Sequence, residues 1–172
     1  MKADIVFEDM RWRKLQLEKI ASASLNLIET DMLDSNKDFE ISILATNDFG
    51  MIRLNEQSRG FNESTNILSW PEYNYERVKP GAFPKRKSKR SQYYEGPDFL
   101  GNIAISFDRC SIEADQRKID FKHHISHLLI HGCLHLIGFD HENKLDAKLM
   151  ENIEKSLLSG LGIKNPYEVT IR

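Results

Sequence analysis

Residues 131–141, HGCLHLIGFDH, set His131, His135 and His141 at the spacing H-x-x-x-H-x-x-G-x-x-H. The stretch from 128 to 137 is apolar nearly all round, which is the pattern of a buried helix. Two histidines on such a helix need a reason. His131 and His135 are i and i+4, so they project from one face about one turn apart. Two imidazoles placed this way reach a single ion at ~2.0–2.1 Å. Gly138 follows three residues later, and Gly is the preferred residue at a left-handed helix terminus. The chain can turn there and return His141 to the same ion. Three protein ligands leave a fourth position open, which separates catalytic zinc sites from closed structural ones. The same spacing occurs in a class of zinc peptidases that carry Glu directly after the first His as general base. Here that position is Gly132.

The neighbouring residues read less sharply. His127 extends the histidine stripe one turn back, but eight residues of helix span ~12 Å, too far to share an ion with His135 and His141. It reads as an outer partner of the site or as a satisfied buried histidine. His123 and His124 fall near the helix start and read as surface residues. Cys133 lies ~200° from His131 and reads as a small buried hydrophobe. Two cysteines, Cys110 and Cys133, are too few for a disulfide framework. Asp140 is open to three readings: a carboxylate orienting a ligand imidazole, a proton acceptor, or a turn Asp bonded to its own backbone.

Outward from this stretch, residues 2–7, 39–45, 66–70 and 99–106 read as strands. Residues 11–30 read as one amphipathic helix with Leu17, Ile20, Ala21, Leu27 and Ile28 on its apolar face. Asn47 is a candidate cap for a helix to about Ser58. Further helices are expected at 107–117 and 121–137. A last helix is capped by Asn143, carries Leu145, Leu149, Met150, Ile153, Leu157 and Leu158 as its apolar stripe, and ends at Gly160 or Gly162.

A chain of 172 residues, 40% hydrophobic and 29% charged, fits one domain, 1–172, with a sizeable core. No apolar run approaches the ~18 residues of a membrane helix, and the N-terminal residues mix acids and bases before any apolar stretch. The expected location is the cytoplasm. The net charge of −2 is uneven. Residues 77–90, RVKPGAFPKRKSKR, hold seven Lys or Arg and no acid, and removing those seven charges leaves −9 for the remainder. They belong to a long loop, 71–98, without periodicity, interleaved with Tyr73, Tyr75, Phe83, Tyr93 and Tyr94. Basic and aromatic side chains together suit single-stranded nucleic acid, with Lys85, Arg86, Lys87, Lys89 and Arg90 as candidate contacts. Ordinary solvated loop composition accounts for the same residues equally well.

HGCLHLIGFDH resembles the signature H-G-x-L-H-L-x-G-[YF]-D-H of the YbeY family, bacterial endoribonucleases of rRNA maturation. LNEQSRGFNESTNILSWP (54–71) and LGNIAIS (100–106) resemble further family segments, so the likeness runs from about residue 39 to 160. It implies an α+β fold, with a small four-stranded mixed sheet, about five to six helices, and a central helix that binds the metal. It also implies one zinc ion per chain on His131, His135 and His141. The implied activity is single-strand-specific RNA cleavage in rRNA maturation and ribosome quality control, with ribosomal RNA and the small subunit or its associated proteins as partners. Arg59 matches the family's functional arginine. Asn66 and Asn102 stand where the family usually has Asp, which removes a charge but keeps hydrogen bonding. Ser58 replaces the usual aromatic before Arg59.

The chemistry can be assembled from these residues. A metal polarises a phosphate oxygen or supplies hydroxide near neutral pH, and Arg59 can hold two phosphate oxygens. Two rival readings remain at this level. One is a metallopeptidase-like hydrolase using another base. The other is a non-catalytic RNA- or ribosome-binding module with structural zinc.

Overall fold

The structure is a computed structural model that describes residues 1–87 and 96–168. Its centre is a four-stranded mixed sheet in the order β1-β2-β6-β3. Strands β1 (Lys2–Phe7), β2 (Phe39–Thr46) and β6 (Asp98–Ser106) are parallel, and β3 (Ile67–Pro71) runs antiparallel to β6. Burial follows position. β6 lies inside the sheet and is buried along nearly its whole length, whereas edge strand β1 alternates exposed and half-buried residues. A parallel pair needs a crossover of a dozen or more residues, and helices supply it.

Six helices are present among the described residues: α1 (Arg11–Leu15), α2 (Leu17–Met32), α3 (Asp48–Arg59), α4 (Phe107–Arg117), α5 (Phe121–Leu136) and α6 (Lys144–Gly160). The α+β architecture expected from the resemblance is therefore the observed one. The expected single helix over 11–30 is two. Gln16 adopts a left-handed conformation, φ 62°, closing α1 and opening α2. The break lets Trp12 turn inward, where it is fully buried, donates its indole N–H to the Thr46 carbonyl at 2.8 Å, and meets the rings of Phe107 and Phe121. Gln16 itself gives no warning of this.

Other helices start where their caps predict. The side chains of Asn47, Ser106, Asp120 and Asn143 each accept a backbone N–H of the first turn. Two expectations fail. His124, expected at the surface, is 1% exposed, because α4 packs on α5 and Glu113 meets its Nε2 at 3.1 Å. Leu145, expected in the buried stripe of α6, is 58% exposed; Asp146 is buried there instead, held by Arg77 and the Gly81 N–H. The 71–98 segment also contains regular structure: β4 (Tyr75–Glu76) pairs with β5 (Lys85–Arg86).

Helix α5 lies between the sheet on one side and α2, α4 and α6 on the others. Ile125, Leu129, Ile130, Cys133, Leu134 and Leu136 are all closed to solvent. Gly132 faces β3 and β6. A Cβ there would stand 2.8 Å from Ile67 Cδ1, 3.0 Å from Ser69 Oγ and 3.2 Å from Ile103 Cδ1. The missing side chain is thus a packing requirement of α5 on the sheet. Gly132→Val should lower unfolding free energy by ~1–3 kcal/mol through overpacking. Gly132→Ala should lower it less, since better helix propensity returns ~1 kcal/mol. Urea unfolding of the two variants checks this.

Candidate metal centre and cleft

The second half of α5 presents His131 and His135, and the turn after it brings in His141. Gly138 makes that turn at φ +92°, and a Cβ there would stand 2.3 Å from Cγ of Tyr75. Its N–H bonds the His135 carbonyl and the Phe139 N–H bonds the Leu134 carbonyl, both at 3.0 Å, which closes the helix end. One ligand atom from each of the three histidines can be chosen so that all lie within 4.8 Å of one another, with His141 on the exposed side. Nε2 of His131 and Nε2 of His135 are 3.1 Å apart. Nitrogens at ~2.0–2.1 Å on one tetrahedral ion stand roughly 3.3 Å from each other, so this pair is spaced to share an ion. Three imidazoles suit a divalent transition metal or zinc rather than magnesium or calcium.

Two of the rings are held from behind. His135 Nδ1 meets the Phe139 carbonyl at 3.0 Å, and His131 Nδ1 meets Glu154 Oε1 at 2.8 Å. Both bonds leave Nε2 facing the centre. Burial, with the neighbouring His131 and His141, pushes the pKa of His135 down to about 4. It is neutral at pH 7 and ready to ligate. Burial pushes Glu154 up, but hydrogen bonds from His127, His131 and Tyr167 outweigh it and hold the carboxyl at about 2. Glu154 was not found from the sequence. Its signal is an acid between Ile153 and Leu157 in the apolar stripe of α6, where an unpaired buried charge is costly.

A cleft of about 570 Å³ opens over the three histidines. Arg59, the last residue of α3, lines it and is exposed, and no hydrogen bond or ion pair engages its guanidinium among the described residues. Asp140 lines it too, and its Oδ1 accepts the His141 backbone N–H at 2.7 Å. That bond is a local turn contact of the kind Asp makes with its own backbone; the groups behind the His131 and His135 rings are Glu154 and the Phe139 carbonyl. Arg77 donates to Asp146 at 2.8 Å and to the Gly138 carbonyl at 2.9 Å, with Asp140 3.8 Å away, so it clasps the turn that carries His141.

The basic segment divides. Arg86 pairs with the buried Asp98 at 2.6 Å and lies over the Tyr73 ring. Lys87 pairs with Glu76 at 3.7 Å. Lys85 is exposed. Lys89 and Arg90, with Tyr93 and Tyr94, lie outside the described residues. Asn66 also lines the cleft; its Nδ2 donates to Glu113 at 2.9 Å and its Oδ1 accepts from the Ile67 N–H at 2.7 Å. Asn102 is exposed on β6.

The shifts fix a pH dependence. His135 titrates near 6.5 when unfolded and at about 4 when folded, so its contribution is complete above ~6.5 and lost as pH falls toward 4. Glu154, lowered from 4.5 to about 2, adds a second loss over that lower window. The urea midpoint of metal-free protein should therefore decline in two stages on acidification. A midpoint that is flat between pH 6.5 and 4 would show that His135 is not held neutral.

The sequence profile of the family Endoribonuclease YbeY matches residues 5–162. The Endoribonuclease YbeY of Jannaschia sp. (strain CCS1) is 38% identical over 97% of this chain and 100% of its own length. That of Paracoccus denitrificans (strain Pd 1222) is 39% identical over 95% of this chain and 88% of its own. The solution structure of TM1509 from Thermotoga maritima superposes with a TM-score of 0.54 over 97% of this chain and 99% of that one, at 18% identity, a likeness of fold. The chain belongs to the YbeY endoribonuclease family.

Proposed function

We propose that this chain is a zinc-dependent, single-strand-specific endoribonuclease that acts on ribosomal RNA during maturation and ribosome quality control. The observation that carries this reading is the unengaged Arg59 in the same cleft as the three converging histidines. His131, His135 and His141 would hold one zinc ion per chain. When bound, the ion supplies Lewis-acid polarisation of a phosphate oxygen. Arg59 supplies a fixed positive charge and a planar fork suited to two phosphate oxygens, and it stabilises charge growing on phosphorus. Asp140 and Arg77 keep the His141 turn in place. Lys85 and Lys87, with Lys89 and Arg90, contact phosphates farther along the RNA, whereas Arg86 serves a pair with the buried Asp98.

The histidine spacing shared with zinc peptidases does not carry peptide hydrolysis here. The position of the peptidase base is Gly132, packed against the Ile67 and Ser69 side chains of β3 and facing the sheet instead of the cleft. On this reading the enzyme works in the cytoplasm, with the small subunit or its associated proteins as partners. No helix among the described residues is long and apolar enough to cross a membrane.

Zinc-loaded protein should cleave unstructured RNA and spare duplex, and chelation should stop the reaction. His135→Ala should abolish it, and Arg59→Ala should reduce turnover by ~10²–10³-fold, as for loss of one transition-state donor. RNA cleavage that persists after chelation and in His135→Ala would refute the reading, and RNA binding without turnover would identify a non-catalytic module. Lys85→Ala should weaken binding equally across sequences and reduce the salt slope by about 1, read by titration at several salt concentrations.

A further inference from the structure

Glu154 brings one carboxylate to two histidines a helical turn apart. Its Oε1 is 2.8 Å from Nδ1 of His131, and its Oε2 is 3.1 Å from Nε2 of His127. The side chain is 1% exposed, so solvent does not compete for it. An ionised carboxylate only accepts hydrogen bonds. Each imidazole must therefore place its proton on the nitrogen that faces Glu154, and the two facing nitrogens differ. His131 becomes the Nδ1–H tautomer, with the Nε2 lone pair turned to the cluster, 3.1 Å from Nε2 of His135. His127 becomes the Nε2–H tautomer, and its Nδ1 is buried without a partner. The Tyr167 hydroxyl donates to Oε2 as well, from a C-terminal segment that Arg117 fastens through the Pro166 carbonyl at 2.8 Å.

We propose that Glu154 is the positioning residue of the metal centre, holding His131 in the Nδ1–H tautomer that leaves its Nε2 lone pair for the ion, while the same carboxylate holds His127, too far along the helix to ligate, in the Nε2–H tautomer. This rests on the metal reading of the three-histidine cluster. A carboxylate that only glues α6 to α5 would stabilise the fold without selecting tautomers. Gln at this position has one acceptor and one donor group, so it can accept from one imidazole N–H and opposes the other. Asp keeps the charge at shorter reach. Tyr167 adds a third donor, on the Oε2 that also meets His127.

Two measurements separate the possibilities. The first is ¹⁵N NMR of imidazoles in metal-free wild-type protein at about pH 8, where histidines of ordinary pKa are neutral. Nδ1–H is expected on His131 and on His135, and Nε2–H on His127. His135 is the internal control, because its proton is held by the Phe139 carbonyl and not by Glu154. In Glu154→Gln, at least one of His131 and His127 should change tautomer, because the amide can accept from only one of them, while His135 keeps its own. The second is zinc affinity by chelator competition. Glu154→Gln should bind zinc ~10–100-fold more weakly, the usual effect of losing an outer carboxylate. Glu154→Asp should recover part of this, and Tyr167→Phe should lose less. The same tautomer on His127 and His131 in wild type would overturn the proposal, as would undiminished zinc affinity in folded Glu154→Gln. If wild type binds no zinc at all, the metal reading fails, and the wild-type tautomers still decide whether Glu154 sorts the two rings.

Discussion

Helix α5 must be buried on almost every side and still deliver two imidazoles to a cleft, and much of the molecule answers to that constraint. A buried helix can come close to a sheet only where its side chains are small. Gly132 provides that place, opposite Ile67 and Ser69 of β3 and Ile103 of β6. The helix is then anchored by Leu129, Leu134 and Leu136 against its neighbours. Rigid seating matters because a metal site tolerates errors of only a few tenths of an ångström in ligand position. His131 and His135 inherit their positions from a helix that cannot roll. The third histidine of the cluster, His141, lies beyond the helix, and it needs a device of its own. Gly138 turns the chain under Tyr75, and Arg77 ties the carbonyl of that glycine to Asp146 at the start of α6. Two helices and one loop thus converge on a single turn.

Electrostatics follow from the same burial. Packing a histidine row into a helix core disfavours charge on it, and His135 responds by staying neutral. An acid beside such a row would ordinarily be driven to protonate. Glu154 escapes because three donors meet it, and a carboxylate with several hydrogen bonds stays ionised even when buried. A second network, nearer the start of α5, has a different character. Asn66, Glu113 and His124 share one carboxylate oxygen. An Asp at position 66 would set a second negative charge against Glu113, so the amide suits this chain's own surroundings. Its Nδ2 donates where a carboxylate could only repel.

Much of this was legible in the sequence. The strands over 2–7 and 39–45, the caps at Asn47 and Asn143, and the fold class all follow from local pattern and resemblance, because each depends on residues close together in the chain. The histidine cluster was legible for the same reason: eleven residues encode a helix face, a turn and a return. What stayed hidden was non-local. Gln16 breaks a helix because Trp12 must reach the Thr46 carbonyl 34 residues away. His124 is buried because another helix covers it. Glu154 looks like one more acid on an amphipathic helix until α6 is laid against α5. The basic run shows the limit of composition most plainly. Arg77 and Arg86 read as free cations, yet their carboxylate partners lie 69 and 12 residues away and are nearly closed to solvent.

Gly132 bears on both fold and chemistry, and the two arguments meet there. A helix carrying histidines at i and i+4 can place an acid between them only if the intervening position looks into a cleft. Here it looks into the sheet, within contact distance of two strands. A carboxylate there would have to displace the side chains of Ile67, Ser69 and Ile103 and would point at the sheet instead of the cleft. The packing therefore disfavours a general base at that position, independent of substrate. Chemistry at this centre must draw its charge from elsewhere in the cleft. Arg59, at the end of α3, lines the same cleft and has no internal partner among the described residues. A guanidinium serves a phosphodiester, whose oxygens gain charge during cleavage, better than it replaces the missing base of a peptidase. The packing of one helix on one sheet thus favours a phosphodiester over a peptide before any relative is considered.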